Sequence, residues 1–331
     1  MPWRSTNDPY KIWLSEIMLQ QTQVKTVIPY YNKWIKKYPT LESVAKSNID
    51  DLLKIWEGLG YYSRCRNFHK ASIKVFEDYN SKIPEDFDQF KELPGVGEYT
   101  AGAVLSIAFG KKIPAIDTNI LRVMSRILGL KERSKSNLNK IKKNMIYYLN
   151  TEKPGDVNQA LMDLGSMICK NKDPYCQNCI FQDICKASEV GDPESFPVKY
   201  KKLVAKKILM FSGILLDGES IFIVKKKNGI YREMWQFPFV STNSSTKKNI
   251  IKEKFMEEFG IEIESMLLIG SFNHLLSHRN IYVNVFTLSA RKRPIESKNL
   301  KWIEAKNLNS LPLPNLDKRV FKIFNNYKNG S

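Results

Sequence analysis

The chain has 331 residues, 43% hydrophobic and 26% charged, which suits a globular protein with room for two domains and excludes an intrinsically disordered one. No run approaches the ~18 consecutive apolar residues of a membrane span, and the opening MPWRSTNDPY lacks a signal-peptide core, so a cytoplasmic protein that enters no membrane is expected. The formal charge is +18, with 28 basic against 20 acidic residues up to Ala187 and 24 against 14 beyond it. Both parts thus favour a polyanionic partner. The plain alternative is a lysine-rich composition, since 41 of the 52 basic residues are lysine.

In chain order, Asp8-Pro9 predicts a helix start, a capping side chain followed by a proline whose missing N–H costs nothing there. Trp13, Leu14, Ile17 and Met18 then recur at helical spacing to about residue 22. Further helices are predicted over 24–37, 41–46, 50–57, 63–79, 87–92, 98–109, 118–129, 136–149 and 156–168. Residues 188–204, with two prolines and no apolar period, read as a linker. Beyond it, apolar runs over 208–216 and 220–225 around Asp217-Gly218 predict a hairpin. A helix near 246–259 and strands near 265–272 and 281–289 complete an α+β region. The expected organisation is a mainly α region over 1–187, the linker, and an α+β domain over 205–331.

Within the helical region, Leu93-Pro-Gly-Val-Gly97 reads as a tight turn between two helices. Gly95 and Gly97 permit positive φ and close backbone approach, and the amides that open the second helix can bind phosphate without reading sequence. A simple helix–helix connection is the plain reading. Ala101, Gly102 and Ala103 imply close helix packing behind the turn. Asp117, about 20 residues later, is most simply an N-cap, but it can also face a sugar that the hairpin holds. Cys169, Cys176, Cys179 and Cys185 fall within 17 residues as C-x6-C-x2-C-x5-C, which points to a metal centre in a reducing compartment. Spacing alone leaves zinc and an iron–sulfur cube both open. Lys170, Lys172 and Lys186 of this loop could face phosphates. Cys65 reads as a free, partly buried thiol.

The motifs LSEIMLQQTQV (14–24), WEGLGYYSR (56–64), LPGVGEYTAGAV (93–104), PAIDTNILRV (114–123) and MDLGSMICK with the cysteines (162–185) resemble the helix-hairpin-helix DNA glycosylase superfamily, and within it the MutY family. The resemblance implies a helix-hairpin-helix glycosylase fold with a [4Fe–4S] loop held by the four cysteines, followed by a Nudix-like α+β domain. Family members carry a further helix ahead of Pro-Trp-Arg. The implied partner is double-stranded DNA containing an adenine mismatch, acted on by a monomer.

The implied catalytic residues are Glu16, Asp117, Tyr99 and Asn119. Glu16 is the acid that protonates the adenine ring, Asp117 is the anion that stabilises the cationic sugar, and Tyr99 and Asn119 orient them. On its own, Glu16 reads as an exposed helix glutamate at the border of an apolar stripe. The implied DNA contacts are Gln20, Gln21 and Tyr61, the hairpin residues Leu93, Gly95, Val96 and Gly97, and the loop Leu276-Ser277-His278. The plain reading of Tyr61 is a core aromatic, and that of Ser277 and His278 a hairpin closure. Endonuclease III-like enzymes carry a nucleophilic lysine where this chain has Tyr99, so base removal without strand cleavage is expected. The alternatives are an endonuclease III-like enzyme for damaged pyrimidines and a DNA-binding protein without activity. In the C-terminal domain the Nudix box keeps Glu257 and Glu258, but Lys254 stands where its first metal-binding carboxylate belongs, so no nucleotide hydrolysis is expected.

Overall fold

A computed structural model describes residues 1–198, 206–229, 231–242, 248–276 and 279–330. The chain divides into two compact units, one of Met1–Ser47 with Ser63–Lys201, the other of Asn48–Tyr62 with Lys202–Ser331. The short segment 48–62 thus leaves the helical sequence around it and packs with the C-terminal part.

The first unit is helical. Its helices are α1 (Pro9–Leu19), α2 (Val24–Lys37), α3 (Leu41–Ala45), α5 (Ser63–Asp78), α6 (Phe87–Lys91), α7 (Glu98–Phe109), α8 (Thr118–Ile127), α9 (Lys135–Tyr148), α10 (Pro154–Met167) and α11 (Lys186–Glu189), while α4 (Ile49–Trp56) belongs to the second unit. Asp8 caps α1 through the amides of Tyr10 and Lys11, as its position before Pro9 predicts. The helix ends at Leu19, three residues short of the sequence expectation. The cause is Arg64, a buried side chain from α5 that donates to the carbonyls of Ile17 (3.0 Å), Met18 (2.8 Å) and Gln20. It satisfies the carbonyls that a helix end leaves open, and Gln21 turns away at φ 56°.

The core of this unit is aromatic. Trp13 stands edge-on to Phe68 and Phe90 at 4.9 and 5.1 Å between ring centres. A second cluster joins α8, α9 and α10 through Ile120, Met124, Ile141, Met145 and Leu161, with Cys169, Phe181 and Cys185 packed against it. Gly102 shows why small residues follow the hairpin, since a Cβ there would lie 2.3 Å from the carbonyl oxygen of Pro114. Cys65 is free, as expected, but fully rather than partly buried.

In the second unit, β1 (Lys206–Asp217), β2 (Ser220–Lys225), β3 (Trp235–Gln236), β4 (Phe239–Thr242), β5 (Ile263–Leu276), β6 (Arg279–Ala290) and β7 (Leu300–Glu304) form one mixed sheet of order β3-β2-β1-β6-β5, with β4 on β1 and β7 on β2. The predicted hairpin is present, Leu216 facing Ile221 across the Asp217-Gly218 turn. β1 and β6 run parallel, and β5 and β6 antiparallel down to the Leu276–Arg279 pair. Helix α12 (Lys248–Phe259) covers the sheet with Ile251, Phe255 and Phe259 against Phe211, Phe222 and Val240. Helix α13 (Asn315–Gly330) buries Leu316, Val320 and Phe324. The sequence reading did not anticipate β3, β4, β7 or α13. The three strands are two to five residues long, too short to display a period, and α13 follows a proline-rich stretch that hides its start.

Candidate active site

Helix α1 places Trp13 and Glu16 three residues apart, hence near one another on its surface, and Gln20 follows as its C-cap. Glu16 is only 6% exposed, so it is a buried group and not the exposed helix glutamate of the plain reading. Tyr99, on the first turn of α7, donates its hydroxyl hydrogen to Glu16 Oε2 at 2.6 Å. Burial raises the Glu16 pKa above the usual carboxylate range, the nearby charge of Asp117 raises it further, and the Tyr99 hydrogen bond and Arg4 oppose both. The Tyr99 phenol is pushed well up by burial and then by Glu16, so it stays a donor. Gln20 donates to Thr100 Oγ1 at 3.2 Å, tying the end of α1 to α7.

Asp117 is the N-cap of α8, as the plain reading held, accepting from the Ile120 amide at 2.7 Å. Asn119 Nδ2 donates to its other oxygen at 2.9 Å. Burial raises the Asp117 pKa, and the amides of Ile120 and Asn119, the Asn119 side chain and Arg122 counter it. The same bonds that cap the helix therefore hold the carboxylate in one orientation. Asn119 is itself fixed, accepting from Arg122 at 2.9 Å, and Arg122 also donates to the carbonyls of Cys169 (2.8 Å) and Gly165. The sequence reading missed Arg64 and Arg122. Both sit inside the quoted motifs, but arginines spent on backbone carbonyls leave no spacing signal.

Of the two hairpin glycines only Gly95 has a positive φ and a close neighbour, while Gly97 is extended at φ −102° with open space around it. Gly95 has φ 80°, and a Cβ there would come within 2.8 Å of Asn67. Gly97 is the N-cap of α7 and supplies no capping side chain, which leaves the first amides of that helix to an outside acceptor. Leu93 and Val96 are 2% and 7% exposed, so their side chains anchor the hairpin, and contact with a backbone phosphate falls to the main chain. Tyr61 is 45% exposed at φ 49° and is not the core aromatic of the plain reading. Leu276 is the last residue of β5. Ser277 and His278 lie outside the described residues.

Cys169, Cys176, Cys179 and Cys185 line one small cavity of about 20 Å³ together with Arg126, Pro174 and Tyr175. Arg126, 1% exposed, donates to Cys169 Sγ at 3.3 Å and to the Lys170 carbonyl at 2.7 Å. Burial raises the Cys176 thiol pKa, and the facing Cys169 and Cys185 raise it further, so four thiolates here require a cation among them. A single zinc ion bonded at ~2.3 Å would hold its sulfurs about 3.8 Å apart. Among the described residues no three His, Cys, Asp or Glu side chains are gathered around one ion. A polynuclear iron–sulfur centre needs no such close gathering around one ion, because each sulfur then binds its own metal.

In the second unit Lys226 Nζ bonds Glu258 at 2.6 Å and the Phe239 carbonyl at 2.8 Å. An ammonium thus sits on one of the two carboxylates that the Nudix box retains.

A buried acid near a carboxylate that caps α8, with a phosphate-type hairpin at the start of α7, is the equipment of a base-excision DNA glycosylase. Residues 14–146 match the HhH-GPD superfamily of base excision DNA repair proteins, and residues 212–322 match the NUDIX domain. The chain is 34% identical to the adenine DNA glycosylase of Buchnera aphidicola (subspecies Baizongia pistaciae) over 95% of its own length and 89% of that protein. It is 27% identical to the human adenine DNA glycosylase over its full length and 72% of that protein. Among solved structures, a thermostable thymine-DNA glycosylase is similar with a TM-score of 0.53 and 32% identity, over 57% of this chain and 88% of that one. The chain belongs to the adenine DNA glycosylase family and is an enzyme of base excision repair.

Proposed function

We propose that the chain is a monofunctional glycosylase that excises adenine opposite 8-oxoguanine or guanine in duplex DNA, acting as a cytoplasmic monomer. The observation that carries this reading is the buried Glu16, fixed by the Tyr99 hydroxyl at 2.6 Å and favoured by burial in its protonated form, together with Asp117, a carboxylate oriented by its own hydrogen bonds. Adenine leaves poorly unless a ring nitrogen is protonated. Glu16, whose neutral form burial favours, gives its proton to that nitrogen as the C–N bond breaks. The bonding pair departs with the base and the sugar becomes cationic. Asp117, held by Asn119 and the Ile120 amide, supplies the opposing negative charge, and water completes the abasic site. Tyr99 offers no amine for a Schiff base.

The target must be flipped out of the duplex at a cost of a few kcal/mol. Gln21 and Tyr61 fit the role of wedges because both project from positive-φ turns. The Leu276-Ser277-His278 loop is proposed to read 8-oxoguanine, with Leu276 as an apolar wedge. The four cysteines and Arg126 would hold a [4Fe–4S] cluster. Its contribution would be to fold and orient the loop bearing Lys170, Lys172 and Lys186 towards phosphates.

The test is incubation with duplexes carrying adenine opposite 8-oxoguanine, followed by alkali. Alkali-dependent cleavage at the adenine is expected, and a borohydride-trapped protein–DNA adduct would contradict the monofunctional reading.

A further inference from the structure

Glu57 closes α4 in an unfavourable place, because a carboxylate at a helix C-terminus faces the negative end of the helix dipole. Its side chain is nevertheless only 7% exposed, and its partners come from both sides. Lys54 Nζ donates to Oε2 at 2.7 Å, while the amide of Leu313 donates to Oε1 at 3.1 Å and Lys318 lies 3.3 Å from the same oxygen. Lys54 also donates to the carbonyl of Leu311 at 3.0 Å. A stretch of chain some 250 residues away is thereby pinned to this one carboxylate.

The next residue begins the turn that carries Tyr61. That turn is braced internally, Trp56 Nε1 donating to the Gly60 carbonyl at 3.0 Å and the Gly58 amide to the Tyr62 hydroxyl at 3.3 Å. Leu59 and Tyr62 are buried while Tyr61 stands out at φ 49°. A non-glycine residue in the left-handed region persists only where its surroundings over-determine it. The partners of Glu57 lead on to β5. Lys318 lies in the first turn of α13, the adjacent Arg319 donates to the Asn273 carbonyl at 2.9 Å and covers the Phe272 ring, and Ile323 packs on Gly270. β5 then runs directly to Leu276.

We infer that Glu57 is a positioning residue that fastens the Tyr61 turn to the α13 platform bearing the β5–β6 hairpin, so that the wedge and the lesion-reading loop keep a fixed register on DNA. This rests on the adenine-glycosylase reading above, in which Tyr61 enters the stack and the hairpin meets the opposite base. Segment 48–62 therefore follows the C-terminal domain because the wedge it carries has to answer to that domain.

The test is a double-mutant cycle on single-turnover excision of adenine opposite 8-oxoguanine, with Glu57→Ala, Glu57→Gln, Lys318→Ala and Tyr61→Ala. Glu57→Ala is expected to slow excision about tenfold with Tyr61 present, and less than about twofold in the Tyr61→Ala background, since a residue acting through Tyr61 has nothing left to position. Glu57→Gln, which still accepts from the Leu313 amide, should restore most of the rate. Lys318 is half-exposed, so Lys318→Ala keeps the fold even where Glu57→Ala does not, and should slow excision about threefold, again only with Tyr61 in place. Fluorescence of 2-aminopurine beside the target reports the wedge directly and should fall in step. Equal losses in both Tyr61 backgrounds, an inert Tyr61→Ala, or wild-type rates in Glu57→Ala would each overturn the proposal. Absence of excision by the wild-type protein would instead remove the functional reading beneath it.

Discussion

Both units bury a carboxyl group, and they surround it differently. In the helical unit Glu16 accepts from the Tyr99 hydroxyl at 2.6 Å and lies in the field of Asp117, so two groups act on its protonation equilibrium. In the α+β unit Asp317 accepts from the Phe237 amide at 2.8 Å, while its Oδ2 has no partner among the described residues. Burial pushes its pKa up to about 8. The retained Nudix glutamate Glu258 is occupied by Lys226. Burial raises both acids, but in the first unit a phenol donates to the carboxylate and a second carboxylate acts on it, whereas among the described residues Asp317 has a backbone amide as its hydrogen-bond donor. A raised pKa marks chemistry when a second group is placed to exchange charge with it, and otherwise marks packing.

The largest expected effect tests the first half of that contrast. Glu16→Gln keeps the shape and removes the proton, and should slow single-turnover excision by about 10²–10⁴-fold while leaving duplex binding in gel shifts nearly intact. Asp117→Asn should do the same. Rates within about tenfold of wild type would sink the assignment. The pH–rate profile should be bell-shaped, falling at low pH as Asp117 takes up a proton and at high pH as Glu16 loses its own.

The cysteine loop comes next. Protein purified anaerobically should be brown, with broad absorbance near about 400 nm, and Cys176→Ser should lose iron and duplex affinity together. One zinc and no iron by metal analysis would overturn the iron–sulfur assignment.

For Asp317 the expectation concerns stability. A folded pKa near 8 against an unfolded value of about 3.9 means that the native state binds the extra proton. Its stabilising contribution is therefore complete below about pH 4 and is lost as pH rises through 8. Asp317→Asn keeps the acceptor for Phe237 and cannot ionise, so denaturation midpoints should show it more stable than wild type at pH 8.5, on the order of a few kcal/mol, with the gain gone by pH 4. A gain that does not change with pH would break the comparison.

The smallest effect sharpens the role of Tyr99. Its hydrogen bond lowers the Glu16 pKa, so Tyr99→Phe should move the alkaline limb of the profile to higher pH and slow excision by about ten- to a hundredfold at neutral pH. A limb that shifts to lower pH would reverse the assigned polarity of that bond.

Much of this protein was written locally in its sequence. Asp8-Pro9, the LPGVG turn, the cap at Asp117 and the hairpin at Asp217-Gly218 each carry a signal within a few residues, because capping and turn geometry are short-range matters of sterics and hydrogen bonding. The family motifs named Glu16, Tyr99 and Asp117. What the sequence could not state is how they meet. Glu16 and Tyr99 are 83 residues apart, and their hydrogen bond exists only because α1 packs on α7. The burial that raises the Glu16 pKa likewise belongs to the assembled core and to no spacing along α1. Arg64 and Arg122 were silent for the same reason, since their work is to satisfy carbonyls that become buried only after folding. Segment 48–62 is the sharpest case: its pattern reads as one more helix of the first domain, and long-range contacts at Asp50 and Glu57 decided that it packs with the second.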